Sequence, residues 1–237
     1  MKNIFAFASF AMCVIVFSSC GTYRYYAPSA NPALFKEAGE VNAGGYFGIS
    51  GGSAKASVSL TDHVAVTGQY SGGLGKYRAK EYEFGGGYYI SKENRCNFFS
   101  AGISWGNNWG FEDTTYTLRS YQGHFYRPFI QWNSGITGGK LFWKVKGDAM
   151  VGLKMSYIMY NGQYLNSTGD KISSAYTLTE PFFMWGIGSR VVHFDIIWGM
   201  PLHLTLDPLS SSGNARTFPM NFSFGLRFLI GRKKTDS

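Results

Sequence analysis

The chain has 237 residues and a formal net charge of +8, with 15% charged residues, 18% aromatics and 31 glycines. That length suits one closed barrel or one ordinary domain, and the wealth of Tyr, Phe, Trp and Gly favours strands and turns over helices. Beyond the first twenty residues no apolar run reaches the ~18 residues of a spanning helix, and the scattered basic residues form no nucleic-acid-binding motif, so neither a membrane helix nor a nucleic-acid partner is expected.

Residues 1–20 read as a secretory leader, with Lys2 as its positive start and Ile4 to Phe17 as its apolar stretch. The run Phe17-Ser18-Ser19-Cys20, followed by Gly21, resembles the lipobox of bacterial lipoproteins. The resemblance implies a signal peptide over 1–19 and a lipidated Cys20; an ordinary signal peptide cut near Ser19 is the other reading. No acidic residue occurs over Gly21–Tyr26, which by the same resemblance puts the lipid in the periplasmic leaflet. Cys13 leaves with the leader, so Cys96 has no partner for an internal disulfide and reads as a small strand residue. Residues 20–42 contain Pro28 and Pro32 and show no sustained period, as expected of a lipidated tether or a plug near one rim.

From residue 43 to 231 the chain alternates with a period of two, the mark of strands with unlike faces. Ala43–Ser50 and Ser53–Leu60 are joined at Gly51-Gly52, a favoured tight-turn pair. In the second, Ala54, Ala56, Val58 and Leu60 oppose Ser53, Lys55, Ser57 and Ser59. His63–Tyr70 follows, and then Lys80–Ile90, where Tyr82, Phe84, Tyr88 and Ile90 oppose Glu81 and Glu83. Arg95–Asn107 sets Phe99, Ile103 and Trp105 against Ser100 and Ser104. Tyr121–Ser134 sets Tyr126, Ile130 and Trp132 against Arg127, Gln131 and Asn133, and a bulge is expected at Pro128, which lacks a ladder donor.

Leu141–Tyr157 is the longest such segment: Trp143, Val145, Val151, Leu153, Met155 and Tyr157 on one face, Lys144, Lys146, Asp148 and Lys154 on the other. A helix would spread those charges around the cylinder and leave no apolar stripe. Glu180–Ser189 and Val191–Met200 come next, the latter with Val192, Phe194, Ile196 and Trp198 opposite His193 and Asp195. Met220–Ile230 closes the series with Phe222, Phe224, Leu226 and Phe228 opposite Ser223 and Arg227, before a basic tail over 232–237.

Links after the second, fourth, sixth and eighth strands are short, and those after the third, fifth, seventh and ninth are long. Short turns at one rim and long loops at the other predict an all-β, closed antiparallel up-and-down transmembrane barrel of about ten strands, within 8–12. An even count puts both ends of the chain at the short-turn, periplasmic side. The residues Tyr26, Pro28, Leu34, Phe35, Gly39 and Glu40, with Thr61-Asp62-His63-Val64-Ala65-Val66, resemble a family of small Gram-negative outer-membrane β-barrel lipoproteins of unassigned function. The resemblance implies an outer-membrane location.

Turning a lysine face to lipid would cost about 2–4 kcal/mol for each residue near the midplane, so the charged row is expected in the lumen. The predicted lumen cluster is Glu81, Glu83, Arg127, Lys144, Lys146, Asp148, Lys154, His193, Asp195 and Arg227, as mutually paired charges or a path for a small solute. The predicted lipid-facing girdle is Trp105, Trp132, Trp143, Tyr157 and Trp198. No zinc spacing, phosphate-binding glycine loop or serine elbow is present, so neither cofactor nor metal is expected. His193 and Asp195 share a face without a matched nucleophile, and the chain is expected to be non-enzymatic, with outer-membrane lipid and an unidentified protein as partners. Two rival readings remain: a soluble lipid-anchored periplasmic barrel with its apolar faces turned inward around a hydrophobic ligand, and an envelope enzyme using His193 and Asp195.

Overall fold

A computed structural model describes residues 23–25, 28–73, 78–114, 117–142, 145–165, 171–189, 191–206, 216–217 and 220–231. Among these there is no helix. The strands are β1 (Tyr23–Tyr25), β2 (Val41–Gly48), β3 (Gly51–Ser59), β4 (Val64–Gly72), β5 (Arg78–Lys92), β6 (Arg95–Thr114) and β7 (Thr117–Phe142). They continue with β8 (Val145–Tyr164), β9 (Lys171–Gly188), β10 (Val192–Gly199), β11 (Leu202–Leu206), β12 (Arg216–Thr217) and β13 (Asn221–Ile230). Ten of them, β2 to β10 and β13, pair antiparallel in chain order, and the ring closes where β13 meets β2. Closure leaves no unpaired edge to manage. β11 continues upward along β9 beyond the end of β10, and β1 runs parallel to β12.

Strand lengths depart from the sequence reading on one side of the barrel. β6, β7, β8 and β9 have 20, 26, 20 and 18 residues, so much of what reads as loop between 107 and 121 and between 158 and 178 is strand. Polar residues such as Asn107, Asn161 and Ser173 take outward positions there, and the apolar alternation that marks a strand is lost. Two turn expectations are corrected. The β2–β3 turn falls at 49–50, and Gly51 opens β3 with a φ of 112°, in the region glycine tolerates. Pro128 keeps register with Ile103, and the β7–β8 pairing does not shift around it. The β7 register shifts lie instead between Lys140 and Phe142 and between Ile136 and Gly139, where Gly138 has a φ of 63° and donates its N–H to Asp148 Oδ1 at 2.9 Å.

The faces divide as charge and hydrophobicity dictate. Phe84 is 57% exposed and Ile130 60%, and Val151, Leu153, Met155 and Tyr157 face outward with them. Arg127, Asp148, Lys154 and Asp195 on the opposite faces are buried. A carrier for an apolar ligand needs the reverse arrangement, so that rival reading is not retained.

The cross-strand register gives the outer face its layers. Tyr70, Tyr82, Trp105, Tyr126 and Met159 are successive partners in one row. Two residues further along each strand toward the loops, the outward row becomes Gly72, Lys80, Asn107, His124 and Asn161. Below the aromatic row, β5 carries Phe84, Tyr88 and Ile90 outward. The apolar stretch from Tyr82 to Ile90 spans roughly 20–25 Å along a tilted barrel axis at about 3.3 Å per residue.

Candidate functional site in the lumen

The barrel interior is occupied by the chain's own N-terminal segment. Val41 begins β2 at the short-turn rim, and residues 28–40 run from there back up inside the wall. An extended peptide enclosed in this way carries carbonyls and N–H groups that need partners. The wall strands supply them from side chains. Lys55 Nζ donates to Ser29 O at 3.0 Å, to Ser29 Oγ at 2.6 Å and to the carbonyl of Ala30. Gln69 Nε2 also reaches Ser29 O, at 3.2 Å, and Gln131 Nε2 donates to Asn31 O at 3.0 Å. Asn133 Nδ2 donates to Ala33 O at 2.8 Å, and Asn42 Nδ2 to Leu34 O at 3.3 Å. In return Asn31 Nδ2 donates to Gly68 O on β4 at 3.0 Å.

These donors serve five carbonyls between Ser29 and Leu34, and Pro32, having no N–H, adds no orphan donor. Small side chains at Ser29, Ala30 and Ala33 let the segment lie close to the wall. Its lower end is fastened by packing: the Phe35 ring lies 5.3 Å from Tyr89 and 5.8 Å, edge-on, from Phe98. Polar contacts finish the rim. Lys36 Nζ donates to Asn94 Oδ1 at 3.0 Å, the Ala38 N–H to Asp62 Oδ1 at 3.1 Å, and Ser59 Oγ to Glu37 O at 2.9 Å.

At the other end, Tyr23–Tyr25 pairs with Arg216–Thr217, in the connection that joins β10 to β13 at the long-loop rim. Residues 28–40 therefore lie inside the barrel as a plug, and Tyr23–Tyr25 pairs at the loop rim. β13 ends at Ile230, opposite Val41 at the short-turn rim.

Around the plug the inward charges gather into two groups. In the first, Arg127 Nη2 contacts Glu81 Oε1 and, at 2.9 Å, Glu83 Oε2, while its Nε donates to Ser104 Oγ at 2.9 Å. Lys154 Nζ shares Glu83 Oε2 and lies 4.2 Å from the Phe129 ring centroid. In the second, nearer the short-turn rim, Arg227 Nε and Nη2 grip Asp195 at 2.8 and 3.1 Å, and Nη2 reaches Asp148 Oδ2 at 2.7 Å. His193 Nδ1 lies 3.4 Å from Asp148 Oδ2, and the Tyr46 hydroxyl donates to Asp195 Oδ2 at 2.9 Å. Strands far apart in sequence are thus tied across the lumen, each ion meeting an opposite charge or a hydrogen-bond partner.

Of the expected lumen residues, Glu81, Glu83, Arg127 and Lys154 form the first group and Asp148, His193, Asp195 and Arg227 the second. Lys146 belongs to β8 by its backbone, and its side chain is not described. Lys144, Trp143 and Cys20 lie outside the described residues. Trp105, Trp132 and Tyr157 are exposed on the outer face and Trp198 is half-buried on it. Sequence reasoning missed Glu180, which is buried and accepts from Asn221 Nδ2 at 3.4 Å, and it missed that the inward amides Gln69, Gln131 and Asn133 bind a plug. The amides did leave a trace: Gln69, Gln131 and Asn133 occupy inward strand positions where a simple salt-bridge lumen would not need them.

Gly186 marks how tightly the second group is packed, because a Cβ there would meet Asp195 Oδ1 at 2.2 Å. Gly186→Ala is expected to displace that carboxylate from Arg227 and to cost about 1–3 kcal/mol, read as a lower urea midpoint for the folded barrel.

No protein-family model and no curated protein matches the chain. Among solved structures it is similar to OmpT (in-vitro folded), an outer membrane protein of Vibrio cholerae, at 9% identity over 81% of this chain and 95% of that one, with a TM-score of 0.17. A likeness so slight lends no residue role to this chain. The expectation of a non-enzymatic protein is nonetheless corrected here. The lumen sets His193 Nδ1 3.4 Å from Asp148 Oδ2, an acid–base contact that the sequence did not display. Absence of catalysis is therefore no part of the reading that follows.

Proposed function

We propose that this chain is a ten-stranded barrel of a bacterial outer membrane, anchored by lipid at Cys20 and closed by its own N-terminal segment. Its role is structural or an interaction, carried by the sheet that β6 to β9 raise on the loop side. One observation carries the reading: an outward apolar band bounded by a row of aromatic side chains, around a lumen lined with paired ions. Its height matches the ~25 Å apolar belt of membrane barrels, and burying such a surface in lipid removes it from water. A small-solute role is disfavoured by the plug, whose backbone is held along the lumen by side chains of four strands and whose Ser29 hydroxyl accepts from Ser223 on a fifth.

Lipid anchoring takes a different geometry from the one the sequence suggests. Tyr23 stands three residues from Cys20, a reach of about 10 Å. The acyl chains then belong to the loop-side leaflet, and the plug is the leash that leads to them. A peptide tag inserted after Gly21 is expected to be reached by antibody on intact cells; staining only after the outer membrane is opened would place the anchor on the short-turn side.

The barrel reading is tested by gel migration with and without heating, joined to an alkaline carbonate wash of membranes carrying Cys20→Ser. Folded migration that shifts on heating, and retention of the unanchored variant through the wash, are expected. A Cys20→Ser protein released by carbonate would refute the membrane barrel.

A further inference from the structure

On the outer face above the aromatic row lies a hollow of about 450 Å³, lined by Arg78, Lys80, Asn107, Trp109, Gln122 and His124. It is built by register. Lys80, Asn107 and His124 are successive partners on β5, β6 and β7, and Arg78, Trp109 and Gln122 form the next outward row. The Arg78 guanidinium lies 5.9 Å from the Trp109 ring centroid, which braces the cation over an apolar floor. Two cations, a histidine and two amide side chains face one space, and the same two rows continue through Asn161, Gln163, Lys171 and Ser173 without a carboxylate among the described residues.

The height of this hollow decides its chemistry. Its floor is one row beyond Tyr82, Trp105 and Tyr126, whose rings are of the kind that sit at the headgroup level of a bilayer. A basic pocket just above that level meets the phosphates of the loop-side leaflet, while the apolar face below it meets the acyl chains of the same molecule. Guanidinium and ammonium donors with neutral amides suit a phosphate, which accepts from several directions at once. We infer that Arg78, Lys80 and His124 form a binding site for the phosphate of an anionic lipid in the loop-side leaflet. The inference rests on the membrane-barrel reading, which supplies the lipid.

The test uses the full chain, folded and solubilised in neutral detergent, and native mass spectrometry with three probes: phosphatidic acid, diacylglycerol and inorganic phosphate. The wild-type protein should retain phosphatidic acid and not diacylglycerol, and Arg78→Gln/Lys80→Gln should weaken retention about tenfold or more. Inorganic phosphate should bind far more weakly than the lipid, because it lacks the chains that lie against the belt. Equal retention by the variant, equal binding of diacylglycerol, or inorganic phosphate binding as tightly as the lipid would each overturn the site. Heat-modifiable migration of both proteins separates the two readings. A wild type that lacks it refutes the barrel, whereas a wild type that has it and shows any of those three outcomes refutes the lipid site alone.

Discussion

Arg127→Met is expected to be among the most damaging single substitutions in the lumen, at about 3–5 kcal/mol. The methionine would fill much of the space, so the cost is electrostatic. Glu81 and Glu83 would lose the guanidinium that contacts both, and Lys154 alone, bound to Glu83 Oε2, would be left to compensate two buried carboxylates. Ser104 Oγ would lose its donor as well. The measurement is the urea midpoint of the heat-modifiable species. Arg127→Met combined with Glu81→Gln should recover much of the loss, because removing one partner of a buried pair costs far more than removing both. A double variant no more stable than Arg127→Met would show that packing and not charge is what Arg127 provides.

The second large effect concerns the plug. Lys55→Met, Gln131→Ala and Asn133→Ala together strip the donors from Ala30, Asn31 and Ala33, leaving Ser29 O to Gln69 and Leu34 O to Asn42. Each buried carbonyl left without a partner costs about 1–3 kcal/mol. The free energy then favours withdrawing the upper segment from the lumen, where water can satisfy it. Lys55 adds to this, since its charge is met chiefly by plug oxygens and it lies 4.8 Å from the Tyr46 ring. In planar bilayers the wild type is expected to be closed, and the triple variant to show stepwise ion conductance. The wall hydrogen bonds are between strands and remain, so the barrel itself should keep its heat-modifiable migration. A variant as closed as the wild type would mean that Leu34 and Phe35 alone hold the segment in place.

Strand existence and facing were legible where one face meets an apolar surroundings and the other does not. Phe84 opposite Glu83, Leu153 opposite Lys154 and Phe224 opposite Ser223 differ enough in polarity for a period of two to stand out, and the structure keeps each on its expected side. The loop-side halves of β6 to β9 were hidden because their outward residues, Asn107, Asn161 and Ser173, are as polar as a loop. Inward residues such as Tyr121, Phe125, Tyr160 and Tyr176 are buried there, so scattered aromatics between inward glycines and serines were the surviving trace.

The candidate site was legible only as a list of inward charges. Their partition into an Arg127 group and an Arg227 group depends on which residues of distant strands share a level, and shear sets that only once the barrel closes. Asp148 and Arg227 are 79 residues apart in sequence yet 2.7 Å apart in space. The plug was less visible still. The side chains that bind its backbone lie up to 100 residues away, and no side-chain pattern reports a backbone contact. Proline and small residues at 28–33 mark an extended, closely approached segment without saying what approaches it.

Everything in the functional reading depends on the outer face of β5 to β8 lying against fatty-acid chains. The direct measurement is labelling of outer membranes with a water-soluble maleimide, comparing Ile130→Cys on the apolar band with Asn161→Cys one row beyond the aromatics; Cys96 is buried and out of the reagent's reach. The account predicts that Asn161→Cys reacts readily while Ile130→Cys stays unlabelled until the protein is unfolded. Prompt and equal labelling of both positions would put the band in water and contradict it.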